Sequence, residues 1–162
     1  MPDRFRDGEI EGVIVNRLTT VFDSRGWLAE LFRHDDLAEE FYPMMAYISS
    51  TNPGVTRGPH EHVDQADFFC FLGPSNFKLR MWDNREQSKT FNCVSTLVVG
   101  ADNPASVLIP AGVVHAYQNV GEVDGIVINC PNRLYRGHGR KEEVDEIRHE
   151  RDSNTIFKMN AD

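Results

Sequence analysis

Short apolar or alternating runs recur about every ten residues along this chain, among them Trp27 to Phe32, Phe68 to Leu72, Phe77 to Trp82, Val94 to Val99, Val113 to Gln118 and Gly125 to Asn129. Side chains of a strand alternate between two faces, so runs this short pair into sheets rather than wind into helices. Turn chemistry separates them: Asp23-Ser24-Arg25-Gly26, Asn52-Pro53-Gly54, Gly73-Pro74-Ser75-Asn76, Gly100 to Pro104 and Pro110-Ala111-Gly112, where Gly, Pro, Asn and Asp reverse the backbone. The pattern predicts an all-β sandwich or barrel. Two segments have helical character, Asp35 to Phe41 as a short acidic-capped turn and Arg140 to Arg148 as a charged surface helix or strand extension. No repeat, low-complexity tract or linker interrupts the pattern, and 162 residues suffice for one core, so residues 1–162 read as a single domain.

Charge and cysteine usage narrow the partners. With 17 Lys and Arg against 25 Asp and Glu, a net charge of −8, the chain lacks the clustered positive charge that a phosphate backbone requires, and no nucleic acid is expected. No run approaches the ~20 apolar residues of a membrane span, and the N-terminus carries no apolar leader. The expectation is a cytoplasmic protein with no membrane partner. Cys70, Cys93 and Cys130 are odd in number and widely spaced, which reads as reduced, buried thiols rather than a disulfide frame.

Chemistry concentrates in Gly54 to Asp67. His60 and His62, two apart on an extended segment, share a face about 7 Å apart, so both can reach one ligand or one metal. A third histidine follows a Pro-x-Gly turn in Pro110-Ala111-Gly112-Val113-Val114-His115-Ala116-Tyr117-Gln118-Asn119. The two segments resemble the two motifs of the cupin superfamily, the first on Gly54, His60, His62 and Asp67 and the second on Pro110, Gly112, His115 and Asn119. The fold implied is the cupin double-stranded β-helix, a jelly-roll barrel with a pocket in its mouth and one or two short helices. In metal-binding cupins the matching positions, His60, His62, Asp67 and His115, would hold one divalent ion. Imidazoles with a carboxylate suit Zn, Mn, Fe or Ni. Asp67 could equally orient a histidine from behind, leaving Gln65 facing inward.

A closer resemblance spans most of the chain. Phe22-Asp23-Ser24-Arg25-Gly26-Trp27-Leu28-Ala29-Glu30, Gly54-Val55-Thr56-Arg57-Gly58-Pro59-His60, Trp82 to Ser88 and Ile109 to Tyr117 are similar, in this order, to segments of the dTDP-4-dehydrorhamnose 3,5-epimerase family. That resemblance implies an isomerase acting on a nucleotide sugar in polysaccharide or glycoside biosynthesis, a homodimer that exchanges N-terminal strands, and no cofactor. His60 would abstract the proton beside a 4-keto group, with His62 and His115 as the other catalytic histidines. The implied substrate-binding set is Arg25, Glu30, Arg57, Gln65, Tyr117 and Asn119, with Arg25 and Arg57 on the diphosphate. The family's acid-donating Tyr falls on Ile128, its enolate-stabilising Lys near Asp67, and its nucleobase-pairing polar residues on Met45 and Tyr47. Its Asp that orients the catalytic His finds no counterpart. The His60-x-His62 pair is also similar to nucleotide-sugar 3,4-ketoisomerases, which shuttle a proton through an enediol. A metal-dependent cupin enzyme and a non-catalytic sugar-binding barrel are the alternatives. His34, His138 and His149, with Glu142 to Glu146, read as solvated surface; Tyr117 and Tyr135 could replace the missing acid, but read first as barrel packing and as a loop residue.

Overall fold

The structure, a computed structural model, describes residues 4–160. Its strands are β1 (Arg6–Asp7), β2 (Ile14–Arg17), β3 (Thr20–Asp23), β4 (Gly26–Ala29), β5 (Tyr47–Thr51), β6 (Thr56–Glu61), β7 (Asp67–Gly73), β8 (Asn76–Asp83), β9 (Cys93–Gly100), β10 (Ala105–Ile109), β11 (Val113–Asn119), β12 (Gly125–Asn129) and β13 (Ile147–Arg148). They form a six-stranded sheet, β1-β9-β8-β11-β6-β13, a five-stranded sheet, β2-β10-β7-β12-β5, and the separate β3–β4 hairpin. All pairings are antiparallel except β1 with β9. This is the expected all-β jelly roll.

Alternation explains how two sheets make three apolar layers. Phe77, Leu79 and Met81 of β8 meet Phe69 and Phe71 of β7 and Val107 and Ile109 of β10 between the sheets. The opposite face of β7, Phe68 and Cys70, packs with Leu18, Leu108 and Cys130 under Leu31, Leu37 and Phe41. Outside the six-stranded sheet, Trp82, Val94, Val114 and Ala116 are covered by Phe157. Strands buried on both faces read as continuous apolar runs, as Asp67 to Gly73 does. Cys70, Cys93 and Cys130 are buried and unpaired.

The helical expectations resolve into single 3-10 turns at His34–Asp36 and Glu39–Phe41. Arg140 ends a 3-10 turn, His138–Arg140, in which Gly139 and Arg140 take φ of 66° and 60°; residues 141–148 form no helix, and the segment ends as β13 on the edge of β6. Among the described residues no helix is long and apolar enough to cross a membrane.

Two motif segments prove to be scaffolding. The Asp83 carboxylate accepts from the Arg85 backbone and side chain, the Ser88 hydroxyl at 2.6 Å and the Thr90 hydroxyl at 2.5 Å. Burial opposes its charge, but these donors outweigh it and hold its pKa near about 2. Asn119, expected to bind substrate, lies outside the cleft. Its Oδ1 accepts from Ser75 Oγ and Gly121 N, and its Nδ2 donates to the carbonyls of Thr51 and Val123. With every polar position used on loop closure, it has nothing left for a ligand.

Candidate active site

The mouth of the barrel holds a cleft of about 1330 Å³ whose lining includes His60, His62, Gln65, Arg57, Tyr117, Tyr47, Ser49 and Phe69. A bulge in β6 sets the histidines. His115 pairs with His60 and Tyr117 with Arg57, so Gly58 and Pro59 oppose Ala116 alone. Gly58 adopts φ +83°, and a Cβ there would lie 2.6 Å from the His115 carbonyl. Only glycine fits, and the bulge turns His60 edge-on to His115, ring centroids 4.5 Å apart. His62 follows just beyond β6, its ring 6.0 Å from that of His60.

Beneath them lies Asp67, 1% exposed. His62 Nε2 stands 3.2 Å and His115 Nε2 3.1 Å from Asp67 Oδ2, while Oδ1 accepts from Gln65 Nε2 at 2.8 Å and Asn129 Nδ2 at 2.9 Å. The other nitrogen of His62, Nδ1, meets the carbonyl of Asp145. A carbonyl only accepts, so Nδ1 carries a proton, and the carboxylate asks for another on Nε2. Burial works against the imidazolium, but the Asp67 carboxylate and the Asp145 carbonyl outweigh it and lift the pKa to about 9. Burial likewise opposes the Asp67 charge, yet the two histidines hold its pKa well below the usual carboxylate range. His60 goes the other way: burial first, then the neighbouring His115, pushes it down to about 2.

The other site expectations sort by position. Arg57 lines the cleft, braced by Thr51 Oγ1 at 2.8 Å and the Ser50 carbonyl at 2.7 Å. Gln65 and Tyr117 also line it, the Tyr117 hydroxyl 3.3 Å from Ser49 Oγ. His115 does not: 2% exposed, it sits behind His60 with Nδ1 on the Val113 carbonyl, because an inward position of β11 faces the core. It stands where it can position His60 and Asp67 and is not part of the cleft lining. Arg25 and Glu30 lie outside the cleft of their own chain. Arg25 is 84% exposed at the hairpin tip on Asp23, and Glu30 stands 3.7 Å from Arg33.

Several site residues escaped the sequence reading. The segment taken as a solvated face closes the cleft: Asp145 accepts from the backbone N–H groups of Val63, Asp64 and Gln65, and Glu146 lies 3.9 Å from His60 Nδ1 while holding Arg148 at 2.6 Å. At 3.9 Å Glu146 is beyond hydrogen-bond range of His60. His149 is no free surface residue either, with Nε2 2.8 Å from Glu61. Arg133, Arg136, Arg140 and His138 line the rim. Tyr47 enters from β5, its hydroxyl 2.8 Å from Asn129 Nδ2, and burial raises its phenol pKa. Ile128 packs in the layer outside the five-stranded sheet, away from the histidines. The inward spacing of Tyr47 and Ser49 was the one readable signal. Nothing local announces Asp145 or Glu146, whose partners are some 80 residues away in sequence.

His60, His62 and Asp67 each offer a donor atom, all within 4.8 Å of one another, a set able to accept a divalent ion. Asp67 Oδ2 and His115 Nε2 are buried without an aligned hydrogen bond, so the donor set fits a cation.

Residues 7–147 match the sequence model of the family described as dTDP-4-dehydrorhamnose 3,5-epimerase. The chain is 37% identical over 128 residues to the "Probable low-salt glycan biosynthesis epimerase" of Haloferax volcanii, covering 78% of this chain and 81% of that one. It is 34% identical over 154 residues to a spore coat polysaccharide biosynthesis protein of Bacillus subtilis, covering 94% and 98%. Its fold is similar to that of a dTDP sugar isomerase from Desulfovibrio desulfuricans, with TM-score 0.80 and 22% identity over 94% of each chain.

Proposed function

The chain belongs to the dTDP-4-dehydrorhamnose 3,5-epimerase family, an isomerase family, and on that premise we propose that it epimerises or isomerises a 4-keto-6-deoxy sugar carried on a nucleoside diphosphate. His60 takes the proton from the carbon beside the ketone, the C–H pair moves into the enolate, and the His62 imidazolium stabilises the oxyanion; reprotonation gives the isomer. The supporting observation is two imidazoles in one cleft with different surroundings: His62 has the Asp67 carboxylate on one nitrogen and the Asp145 carbonyl on the other, which favour its charged form, while His60 is buried edge-on to His115, which favours its neutral form. Environments that split two titratable groups in this way assign base and electrophile. Neutral imidazole is the form of His60 that can take a proton, and a fixed cation beside a developing oxyanion is worth most in a dry site.

Arg57, Arg133, Arg136 and Arg140 offer guanidinium donors for a diphosphate, in place of the own-chain Arg25, in a cleft whose lining also carries Asp64, Glu142, Glu143, Asp145, Glu146 and Glu150. The reaction needs no cofactor. Its place is the synthesis of polysaccharide or glycoside precursors in the cytoplasm, where Cys70, Cys93 and Cys130 stay reduced. The partner is a second copy of the chain, bound through the apolar hairpin. The test is incubation with dTDP-4-keto-6-deoxyglucose in D₂O: deuterium enters the carbons flanking the ketone, and His60→Ala abolishes entry while still binding dTDP. No deuterium with wild-type protein sinks the reading in favour of a sugar-binding barrel.

The His60, His62 and Asp67 donor set supports a second reading, a metal-dependent cupin enzyme with His115 completing the site. The ion would act as a Lewis acid on a carbonyl oxygen. Elemental analysis decides: about one equivalent of Zn, Mn, Fe or Ni per chain, lost in Asp67→Ala, replaces the first reading with the second.

A further inference from the structure

We propose that Tyr47 is the acid of this site, the group that delivers a proton to the enolate carbon on the face away from His60. The assignment rests on the epimerase reading above, and a hydrogen-bond count carries it. Asn129 Oδ1 accepts from the backbone N–H of Phe68 at 3.0 Å, which fixes which end of the amide is oxygen. Its Nδ2 therefore has two hydrogens to place, one on Asp67 Oδ1 at 2.9 Å and one on the Tyr47 hydroxyl at 2.8 Å. The Tyr47 oxygen is the acceptor in that bond, so its own hydrogen points elsewhere. Among the described residues it donates to no protein group, and Tyr47 lines the same cleft as His60. A phenol whose oxygen is held from behind and whose hydrogen faces an open cleft is built to donate.

Two other phenols line the cleft: Tyr135, 53% exposed and tied to Met45 by its backbone N–H alone, has no partner behind its hydroxyl among the described residues, and Tyr117 is placed differently. It is 4% exposed within a cluster of Phe69, Phe71 and Phe77, with its hydroxyl beside Ser49 Oγ. Tyr47 is 45% exposed and lines the cleft. Its placement also relocates a function. In the sequence resemblance the acid falls on Ile128 of β12, whose side chain faces the other layer. Tyr47 is the register partner of the next residue, Asn129, across the β5–β12 pair. The hydroxyl reaches the barrel interior from the neighbouring strand instead.

The step balances without a co-reactant. His60 takes H⁺ from carbon, the Tyr47 O–H bond breaks as a new C–H bond forms on the opposite face, and the tyrosinate recovers H⁺ from solvent while His60 releases one. With Tyr47 gone, His60 can still remove a proton and return a solvent deuteron to the same face, giving exchange without inversion. The experiment follows wild type and Tyr47→Phe with dTDP-4-keto-6-deoxyglucose in D₂O, scoring deuterium in recovered substrate separately from epimer formed. The expected result is an epimer rate lower by about 100-fold or more, with wash-in to substrate persisting. Epimer formation by Tyr47→Phe within about threefold of wild type overturns the assignment alone, as does parallel loss of exchange and inversion in a variant that still binds dTDP. A wild-type enzyme that exchanges nothing overturns the epimerase reading, and this assignment with it. Should Tyr47→Phe not fold, Tyr47→Gln, which keeps a polar group at this half-exposed position, gives the same partition.

Discussion

At the scale of the residue, His60 and His62 lie in one cleft and differ in charge because of what stands behind each. His62 has a carboxylate on one nitrogen and a carbonyl on the other; His60 has a buried place beside His115. The rate needs the His62 imidazolium, so kcat/KM is expected to stay level through neutrality and to fall as pH rises through about 9. Asp67→Asn removes the charge that lifts this pKa, and the alkaline limb should move down toward the ordinary 6.5. A limb that stays put in this variant assigns it to another group. The same shifts act on stability with opposite signs. His62 is raised in the folded protein, so its contribution is complete below 6.5 and is lost as pH climbs through 9. His60 is depressed from 6.5 toward 2, so below 6.5 the unfolded chain binds a proton that the folded chain refuses, and stability falls. Thermal melts across pH should therefore peak near 6.5, and His60→Gln should flatten the acid side only.

At the scale of the element, β6 decides the site. Its bulge at Gly58 exists because two residues there oppose one on β11. Gly58→Ala would place a Cβ 2.6 Å from the His115 carbonyl at a φ of +83°, costing about 2 kcal/mol or more. Chemical denaturation should show that loss, and activity should fall further than stability because His60 moves with the strand. Strands of this kind were legible in the sequence because their alternation and turn residues are local, and so were His60 and His62, two positions apart on one strand. What was not legible is what the fold brings in from afar: Asp145 and Glu146 look like any acidic surface until β13 lays them over β6. Asp83 and Asn119 show the converse. Both stand in recognisable motifs, yet Asp83 spends its carboxylate inside its own loop and Asn119 spends its amide tying its turn to Thr51 and Ser75, so a motif residue can mark the fold rather than the chemistry.

At the scale of the whole molecule, the β3–β4 hairpin is the element that the single chain does not explain. It pairs with neither large sheet and presents Val21, Phe22, Trp27 and Leu28, with Phe22 74% exposed. A two-stranded hairpin is marginal by itself, and contiguous exposed apolar side chains of this size mark a contact surface. Nearby, Ile48 on the edge strand β5 is 67% exposed. The homodimer proposed above would cover these residues and would carry Arg25 and Glu30, which lie outside the cleft of their own chain, to the partner. Light scattering is expected to report two chains per particle, and Phe22→Glu combined with Trp27→Glu to give monomers. If Arg25 serves the partner's diphosphate, Arg25→Ala should raise KM with little change in kcat and leave the dimer intact, since the residue is 84% exposed and, among the described residues, pairs only with Asp23. A monomeric wild type would remove the reason for the hairpin's apolar face, and Arg25 would then be no more than the tip of a turn.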